Sequence, residues 1–229
     1  MLSVKDLAKM IDHSLLRPEL TVDQVREGCR LAKKYGTASV CVRPCDVAIA
    51  KEELEGTDVL VTTVIGFPLG DNTTEVKVFE TEQAIRDGAQ EVDMVLNIGR
   101  LISRDFDYVE KDIKAVVDLA HQNGVLVKVI LENCYLTDDL KEAACRISEK
   151  AGADFVKTST GFGTGGATVE DIRLMRKNCS PKVKIKAAGG IRTYDAALAV
   201  WKEGAVRLGA TATKAILEEA KKREELGGQ

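Results

Sequence analysis

Lys157 ends a short apolar run in the stretch ADFVKTSTGFGTGG, and hydroxyl residues and glycines fill the positions that follow. A second lysine, Lys186, ends the similar run KVKIKA. A charge at the end of a buried segment costs free energy unless another group pairs with it or the protein uses it. Two ammonium groups held close together repel each other, and burial adds a desolvation penalty, so at least one of them should have a lowered pKa.

A lysine with a lowered pKa is a nucleophile. At the reference pKa of ~10.4 only about one lysine in ~2500 is neutral at pH 7, whereas a pKa near ~7 makes about half of the amine neutral. The neutral amine attacks a carbonyl carbon and forms a Schiff base, whose protonated nitrogen stabilises the carbanion that carbon–carbon chemistry requires. Asp93, in the run EVDMVLN, is the candidate group to move protons during these steps.

The segments that carry these residues alternate between short β-branched runs and longer stretches with helical periodicity. Eight runs predict strands, at residues 10–16, 39–42, 58–66, 91–97, 125–132, 154–158, 182–187 and 205–209. Helical patterns fall near residues 22–35, 73–88, 104–123, 137–151, 168–178, 193–203 and 210–225, after a short leading helix.

Eight strands alternating with helices in a chain of 229 residues predict an α/β protein, a single-domain (β/α)8 TIM barrel over residues 1–229 with a short extra N-terminal helix. The rival is an open doubly wound sheet, which would usually show a Gly-x-Gly-x-x-Gly turn after the first strand, and the sequence has none there. The end of the chain, from about residue 221 to 229, is expected to fray.

Side-chain alternation along the strands predicts which groups point into the barrel. Valine, leucine, isoleucine and methionine side chains take the outward positions, which leaves a set of ionisable groups inward: Asp93, Lys128, Glu132, Lys157, Lys184 and Lys186. Any one of these groups alone is best interpreted as part of a structural ion network. Lys157 and Lys186 differ because they lie at the C-terminal ends of adjacent strands, which is the catalytic face of such barrels.

Glycine-rich loops follow the last three strands, with the sequences TSTGFGTGG, AGGIRT and GATATK. Phosphate sites in these barrels commonly use the loops after strands seven and eight, where backbone N–H groups can approach a ligand closely. Gly189, Gly190 and Gly209 allow that approach, and Thr211 adds a hydroxyl. Tight turns also use glycine, so each loop alone is weak evidence.

Composition narrows the class of partner. The formal net charge is −3 with scattered lysines and arginines, which favours a small molecule over nucleic acid or a membrane. The first residues lack the apolar stretch of a secretory signal, and no apolar run is long enough to cross a membrane, so a cytoplasmic protein is expected. Six cysteines without a Cys-x-x-Cys motif and only two histidines make a metal site improbable. A homodimer or higher homo-oligomer is expected.

With these residues in view, the chain resembles the deoxyribose-phosphate aldolase family of class I aldolases. The motifs run in the family's order over nearly the whole chain: IDHSLLRPE (11–19), SVCVRP (39–44), VIGFPLG (64–70), EVDMVLNIG (91–99), VKVILE (127–132), DFVKTSTGF (154–162) and KIKAAGGIRT (184–193). The resemblance implies reversible cleavage of 2-deoxyribose 5-phosphate to acetaldehyde and glyceraldehyde 3-phosphate, without metal or other cofactor.

The resemblance also implies roles for particular residues. Lys157 would form the Schiff base, Lys186 would lower its pKa and assist proton transfer, and Asp93 would shuttle protons. Asp12 would support Lys186. The implied substrate contacts are Cys41, Thr158, Thr160, Gly161, Gly189, Gly190, Gly209 and Thr211.

Four positions depart from the family pattern, and two other functions stay open. Thr211 and Ala212 replace the usual pair of serines, Arg17 stands where a lysine is usual, and Arg43 where a small polar residue is usual. Cys41 is equally well interpreted as a small buried residue. The alternatives to this aldolase are another phosphosugar Schiff-base aldolase or isomerase on the same barrel, and a non-catalytic barrel that binds a phosphorylated metabolite.

Overall fold

Eight parallel strands close into a barrel in the computed structural model, which describes residues 2–227. The strands are β1 (Ile11–Leu15), β2 (Ser39–Val42), β3 (Leu60–Ile65), β4 (Glu91–Val95), β5 (Leu126–Ile130), β6 (Phe155–Lys157), β7 (Lys184–Ala188) and β8 (Ala205–Ala210). Each strand pairs with the next, and β8 pairs with β1 to complete the circle. This arrangement confirms the predicted (β/α)8 TIM barrel and all eight of its predicted strands.

Helices surround the barrel. They are α1 (Val4–Ala8), α2 (Val22–Tyr35), α3 (Val47–Glu53), α4 (Thr74–Asp87), α5 (Ile98–Ile102), α6 (Phe106–Gln122), α7 (Asp138–Lys150), α8 (Val169–Lys177), α9 (Tyr194–Lys202) and α10 (Thr213–Gly227). The short leading helix α1 is as expected. The expected fraying of the chain end stays a prediction, because α10 takes up residues 221–227 and residues 228 and 229 lie outside the described part of the chain.

Local sequence signals fix where the helices begin after the loops of the C-terminal face. Thr168 caps α8 by accepting a hydrogen bond from the Asp171 N–H, and Thr193 caps α9 in the same way through the Ala196 N–H. Such caps are typically worth ~1 kcal/mol each. The loops after β6 and β7 therefore have fixed ends on both sides.

The apolar core lies between the barrel and its helices. Outward side chains such as Val92, Met94, Val127, Val156 and Ile185 are fully buried in this layer. Each such side chain contributes about 1.5–3 kcal/mol by leaving water. This layer stabilises a barrel whose interior also carries buried charges.

None of the helices in residues 2–227 is long and apolar enough to cross a membrane.

Candidate active site

Seven charged side chains meet inside the barrel: Asp12, Glu91, Asp93, Lys128, Lys157, Lys186 and Arg207. They come from six strands, namely β1, β4, β5, β6, β7 and β8. Six of them are buried, and the Arg207 side chain is 13% exposed. At this burial each charge needs a partner within hydrogen-bonding distance.

Asp93 is the centre of the upper part of this cluster. Its Oδ2 accepts hydrogen bonds from Lys157 Nζ at 2.8 Å and from Lys186 Nζ at 2.7 Å. Its Oδ1 accepts from Lys128 Nζ at 2.9 Å. Lys186 Nζ also forms an ion pair with Asp12 Oδ2 at 2.5 Å. The Asp93 carboxylate thus connects Lys157 with Lys186.

The other charged groups complete a closed circuit. Glu91 accepts from Lys128 Nζ at 2.6 Å and from both terminal nitrogens of Arg207, at 2.9 and 3.1 Å. Arg207 donates as well to Asp12 Oδ1 at 2.7 Å. We call this circuit the ion ring; its members, in order, are Asp12, Arg207, Glu91, Lys128, Asp93 and Lys186.

The ion ring contains three anions and three cations in alternation, so it is neutral without Lys157. Lys157 is attached to it through Asp93 alone. If Lys157 were protonated, the interior would hold one positive charge in excess, and an uncompensated buried charge costs several kcal/mol. Charge balance therefore favours the neutral amine at Lys157.

The pKa shifts of Lys157 and Lys186 agree with this charge balance. Burial lowers the pKa of Lys157, attraction to Asp93 opposes that effect, and repulsion by Lys186 adds to it, so the pKa lies below its ordinary value. Burial alone would also lower the pKa of Lys186, but Asp12 and Asp93 outweigh burial and hold that pKa above its ordinary value. The two lysines are therefore opposite in character, one tending to be neutral and the other held charged.

The carboxylates stay ionised. Burial alone would raise the pKa of Asp93, but Lys128, Lys157 and Lys186 together hold that pKa well below its ordinary range. For Asp12, attraction to Lys186, Lys128 and Arg207 likewise outweighs burial and lowers the pKa. In the resting protein Asp93 is thus ionised and accepts hydrogen bonds from two amines.

A cavity of about 490 Å³ opens over the C-terminal face and reaches both lysines. Ten of the residues proposed for the site line it: Asp12, Cys41, Lys157, Thr160, Gly161, Lys186, Gly189, Gly190, Gly209 and Thr211. Gly189 and Gly190 have left-handed backbone with φ of 83° and 82°, and the side of Gly190 where a Cβ would project is open. Backbone of this kind can approach a ligand closely.

Two proposed residues do not line the cavity. Asp93 lies beneath the lysines, fully buried. Thr158 is also fully buried, and its hydroxyl donates to the Ala188 carbonyl and accepts from the Ala188 N–H, both at 3.0 Å. Thr158 therefore fastens β6 to β7 at the level of the two lysines instead of facing a substrate.

One side of the cavity is apolar. Leu16 and Phe162 line it, and the ring of Phe162 packs edge-on against Phe67 at 5.4 Å between centroids. Cys41 packs with Leu16 and Val64, and burial raises the pKa of its thiol to about 11. Cys41 is consequently an uncharged side chain next to Lys157, as expected of a small buried residue.

Side-chain alternation placed two residues in the barrel interior that the structure does not place in its charged cluster. Strand β5 ends at Ile130, and Glu132 follows in left-handed backbone, where its carboxylate accepts hydrogen bonds from the Thr160 N–H and hydroxyl. Lys184 faces Phe155 at the opposite end of the barrel and is exposed to solvent. Neither residue belongs to the ion ring.

Two members of the ion ring, Glu91 and Arg207, were not among the expected residues. Glu91 lies two positions before Asp93 on the same strand, so the alternation that turns Asp93 inward applies to Glu91 as well. Arg207 lies two positions before Gly209 on β8. A charge near the start of a strand usually reaches solvent, which is why sequence alone did not single them out.

Comparison with known proteins shows the family to which the chain belongs. The family model described as DeoC/LacD family aldolase matches residues 7–219, and the chain belongs to this family. It is 56% identical over 214 residues to the deoxyribose-phosphate aldolase of Clostridium perfringens strain 13, covering 93% of this chain and 95% of that protein. It is 55% identical over 221 residues to the enzyme of the same name from Thermococcus gammatolerans, covering 96% of this chain and 98% of that protein.

A solved structure of an aldolase has the same fold as this chain. The chain superposes on the structure described as a unique tetrameric structure of deoxyribose phosphate aldolase from Aeropyrum pernix, with a TM-score of 0.90 and 34% identity. That match covers 96% of this chain and 93% of the other.

Proposed function

We propose that the protein is a class I aldolase that reversibly cleaves 2-deoxy-D-ribose 5-phosphate to acetaldehyde and D-glyceraldehyde 3-phosphate. The observation that carries the proposal is Lys157, a buried amine in excess over a neutral ion ring, which opens onto the cavity. The name shared by relatives at 55–56% identity supports this substrate.

The reaction begins with the neutral amine of Lys157. Its nitrogen attacks the aldehyde carbon of the open-chain sugar, and the resulting carbinolamine loses its hydroxyl as water to give a protonated imine. The carbonyl oxygen must gain two protons before it leaves as water. The attacking nitrogen loses one of them, and an acid must supply the other. Asp93 is hydrogen-bonded to both lysine amines, which suits it to pass protons between Lys157 and Lys186.

Bond cleavage follows on the imine. A base removes the proton of the C3 hydroxyl, the electrons of the C2–C3 bond move toward the iminium nitrogen, and glyceraldehyde 3-phosphate leaves. The enamine that remains takes a proton at C2, and water then releases acetaldehyde and restores the Lys157 amine. The iminium nitrogen is the electron sink, so the chemistry requires no metal ion.

The phosphate is assigned to the glycine loops. Gly189, Gly190 and Gly209 bring backbone to the cavity wall, Thr211 contributes a hydroxyl, and Arg192 is the nearby cation. Backbone N–H groups and one guanidinium are well suited to a phosphate dianion. Lys214, the other cation near these loops in sequence, is not among the cavity's lining residues.

The proposal is tested by borohydride reduction in the presence of acetaldehyde, and separately of 2-deoxyribose 5-phosphate, with mass spectrometry of the peptide that contains Lys157. We expect a reduced adduct on Lys157 and none on Lys186. The variant Lys157→Ala should lose at least 1000-fold in turnover, because no other buried amine in the barrel is in excess over the ring.

Lys184→Ala is the matched control, since it removes a solvent-exposed lysine at the opposite end of the same barrel. It should keep its adduct and its turnover. If a folded wild-type sample gave no adduct with either compound, the Schiff-base mechanism would be excluded, and the isomerase or binding alternatives would take its place.

We also propose that the chain works as a homodimer or larger homo-oligomer in the cytoplasm. The Aeropyrum pernix relative is described as tetrameric, and exposed apolar residues Val76 and Phe79 share one face of α4. A phosphorylated sugar does not diffuse across membranes, so the enzyme belongs in the compartment that holds its substrate. Light scattering on the purified protein measures the assembly directly.

A further inference from the structure

Half of the ion ring lies away from the cavity. Glu91 and Lys128 are fully buried, and neither they nor Arg207 are among the cavity's lining residues. A substrate in the cavity therefore meets Lys157 and Lys186 without touching these three side chains.

These three side chains, which we call the lower half of the ion ring, are nevertheless connected to Lys157 by a continuous series of hydrogen bonds and ion pairs. From Arg207 one branch runs to Asp12 at 2.7 Å and on to Lys186 at 2.5 Å. The other branch runs from Arg207 to Glu91 at 2.9 Å and, through Lys128, to Asp93 at 2.9 Å. Both branches end at the two groups that flank Lys157.

Two buried hydroxyl groups donate hydrogen bonds to the carboxylates that Arg207 contacts. Thr62 donates to Glu91 at 2.9 Å and lies 3.0 Å from Ser39 Oγ, and Ser39 donates to Asp12 at 2.7 Å. All of these side chains are buried. These hydrogen bonds hold Glu91 and Asp12 at fixed positions, so their charges act on Lys157 and Lys186 at constant distance.

We propose that Glu91 and Arg207 are positioning residues that set the protonation state of Lys157 by keeping the ion ring neutral. The inference rests on the proposed function of Lys157 as the Schiff-base residue. The groups that face Lys157 are Asp93 from β4, Lys186 from β7, Cys41 from β2 and, beyond Asp93, Lys128 from β5. Of these, only Cys41 is not linked to the ring.

The proposal predicts shifts of opposite sign for opposite charges. Glu91→Gln leaves the ring with a net positive charge, which disfavours a further proton on Lys157 and lowers its pKa. Arg207→Met leaves the ring with a net negative charge, which favours that proton and raises the pKa. At an effective dielectric of ~20, removal of a unit charge ~8 Å away shifts a pKa by about 1.5 units.

A merely structural role predicts a different pattern. Both substitutions remove hydrogen bonds from a buried network, so both should lower stability. Loss of packing alone has no reason to move the pKa of one amine down in the first variant and up in the second. The sign of the shift is therefore the informative readout, and activity alone is not.

The experiment measures the rate of reductive methylation of Lys157 by formaldehyde and cyanoborohydride between pH 5 and pH 10, by mass spectrometry of its peptide. This rate follows the neutral amine and needs no substrate. Relative to the wild type, we expect the apparent pKa to fall by about 1.5 units in Glu91→Gln and to rise by about 1.5 units in Arg207→Met. Lys184→Met, outside the ring, should leave it unchanged.

Conservative variants keep the test decisive if a neutralising variant does not fold. Glu91→Asp and Arg207→Lys preserve the ring's charge, so both should return the profile to within a few tenths of a unit of the wild type. Equal shifts, or no shift, in the two neutralising variants would overturn the proposal, as would a full shift in the charge-preserving pair.

Failure of the inference and failure of the proposed function give different results. If acetaldehyde and borohydride give no adduct on wild-type Lys157, the proposed function fails whatever the methylation profiles show. If the adduct forms but the methylation profiles do not move, Lys157 is the Schiff-base residue and the lower ring does not set its pKa.

Discussion

At the scale of single residues, two identical side chains acquire opposite properties from the number of carboxylates that they contact. Lys157 contacts one carboxylate, Asp93, whereas Lys186 contacts both Asp93 and Asp12. Both amines are buried to a similar degree, so burial penalises their charge alike. The second carboxylate decides the outcome, because it repays the cost of burying one ammonium group and not the other.

Removal of the charge at Lys186 should change both rate and pH dependence. Lys186→Leu removes the cation that repels a proton from Lys157, so the pKa of Lys157 rises and the acid limb of the activity profile moves to higher pH. It also removes a proton donor, and we expect turnover to fall by about 100-fold or more. Steady-state rates measured across the pH range check both effects.

Lys184→Leu is the control on the same strand, because its side chain lies outside the ring and is exposed. It should leave the profile in place. An acid limb in Lys186→Leu at the wild-type position would contradict a role for Lys186 in setting the pKa of Lys157.

Side-chain alternation could predict part of this cluster from the sequence. It turned Asp93, Lys128, Lys157 and Lys186 inward, where the structure has them. It could not predict the pairing, because which carboxylate reaches which amine depends on the stagger between strands after the barrel closes. The contact between Arg207 on β8 and Glu91 on β4, across the barrel, exists only in the closed form.

At the scale of elements, the loops after β6 and β7 are held against each other at the edge of the cavity. The Ala167 N–H donates to the carbonyls of Ala188 and Gly189, each at 3.0 Å. A Cβ added at Gly166 would lie 2.4 Å from the Gly189 carbonyl oxygen. The backbone of one loop thus sets the position of the other, which is the loop assigned to the phosphate.

Gly166→Ala should therefore displace the phosphate loop. The added methyl group overlaps backbone atoms that cannot rotate away, so the Gly189 segment must shift. We expect KM for the phosphorylated sugar to rise by about tenfold, equivalent to ~1.4 kcal/mol of binding, with a smaller effect on imine formation with acetaldehyde. Steady-state kinetics and borohydride trapping separate these effects.

Gly99→Ala is the matched control, because a Cβ at Gly99 would make only an ordinary contact, 3.7 Å from Asn97 Oδ1. It should keep the wild-type KM. Equal KM values for Gly166→Ala and the wild type would show that the loop contact does not position the phosphate site.

Elements with strong periodicity could be predicted from the sequence, whereas two of the short helices could not. All eight strands were predicted, because their β-branched runs alternate with clear helical stretches. Helices α3 and α5 were not predicted; they have seven and five residues, too few turns for a periodic apolar face. Their ends depend on packing against the barrel, which single-sequence patterns do not encode.

At the scale of the whole molecule, a buried hydrogen bond joins the first strand, β1, to the last helix, α10. His13 on β1 has its ring buried, and its Nδ1 lies 2.8 Å from the Thr213 hydroxyl at the start of α10. Burial lowers the pKa of His13 to about 4 from an ordinary value of 6.5. The folded barrel therefore holds this histidine neutral at pH values where the unfolded chain protonates it.

This difference makes the stability of the barrel depend on pH. Between pH 6.5 and about 4 the unfolded chain binds a proton at His13 that the folded protein does not, so the free energy of unfolding falls as the pH falls through this window. A separation of 2.5 units from those two values corresponds to a loss on the order of 3 kcal/mol. Asp93 and Asp12, whose pKa values are lowered in the folded state, lose their contribution only at still lower pH.

Denaturant unfolding at pH 7.0 and pH 4.5 tests this in the wild type and in His13→Asn. The variant keeps a polar partner for Thr213 and does not titrate, so it should lose about 2 kcal/mol less than the wild type between the two pH values. His121→Asn removes the histidine that pairs with Asp154 at the surface and should retain the wild-type loss. If His13→Asn and the wild type lost the same free energy between the two pH values, protonation of His13 would not be what weakens the barrel in this window.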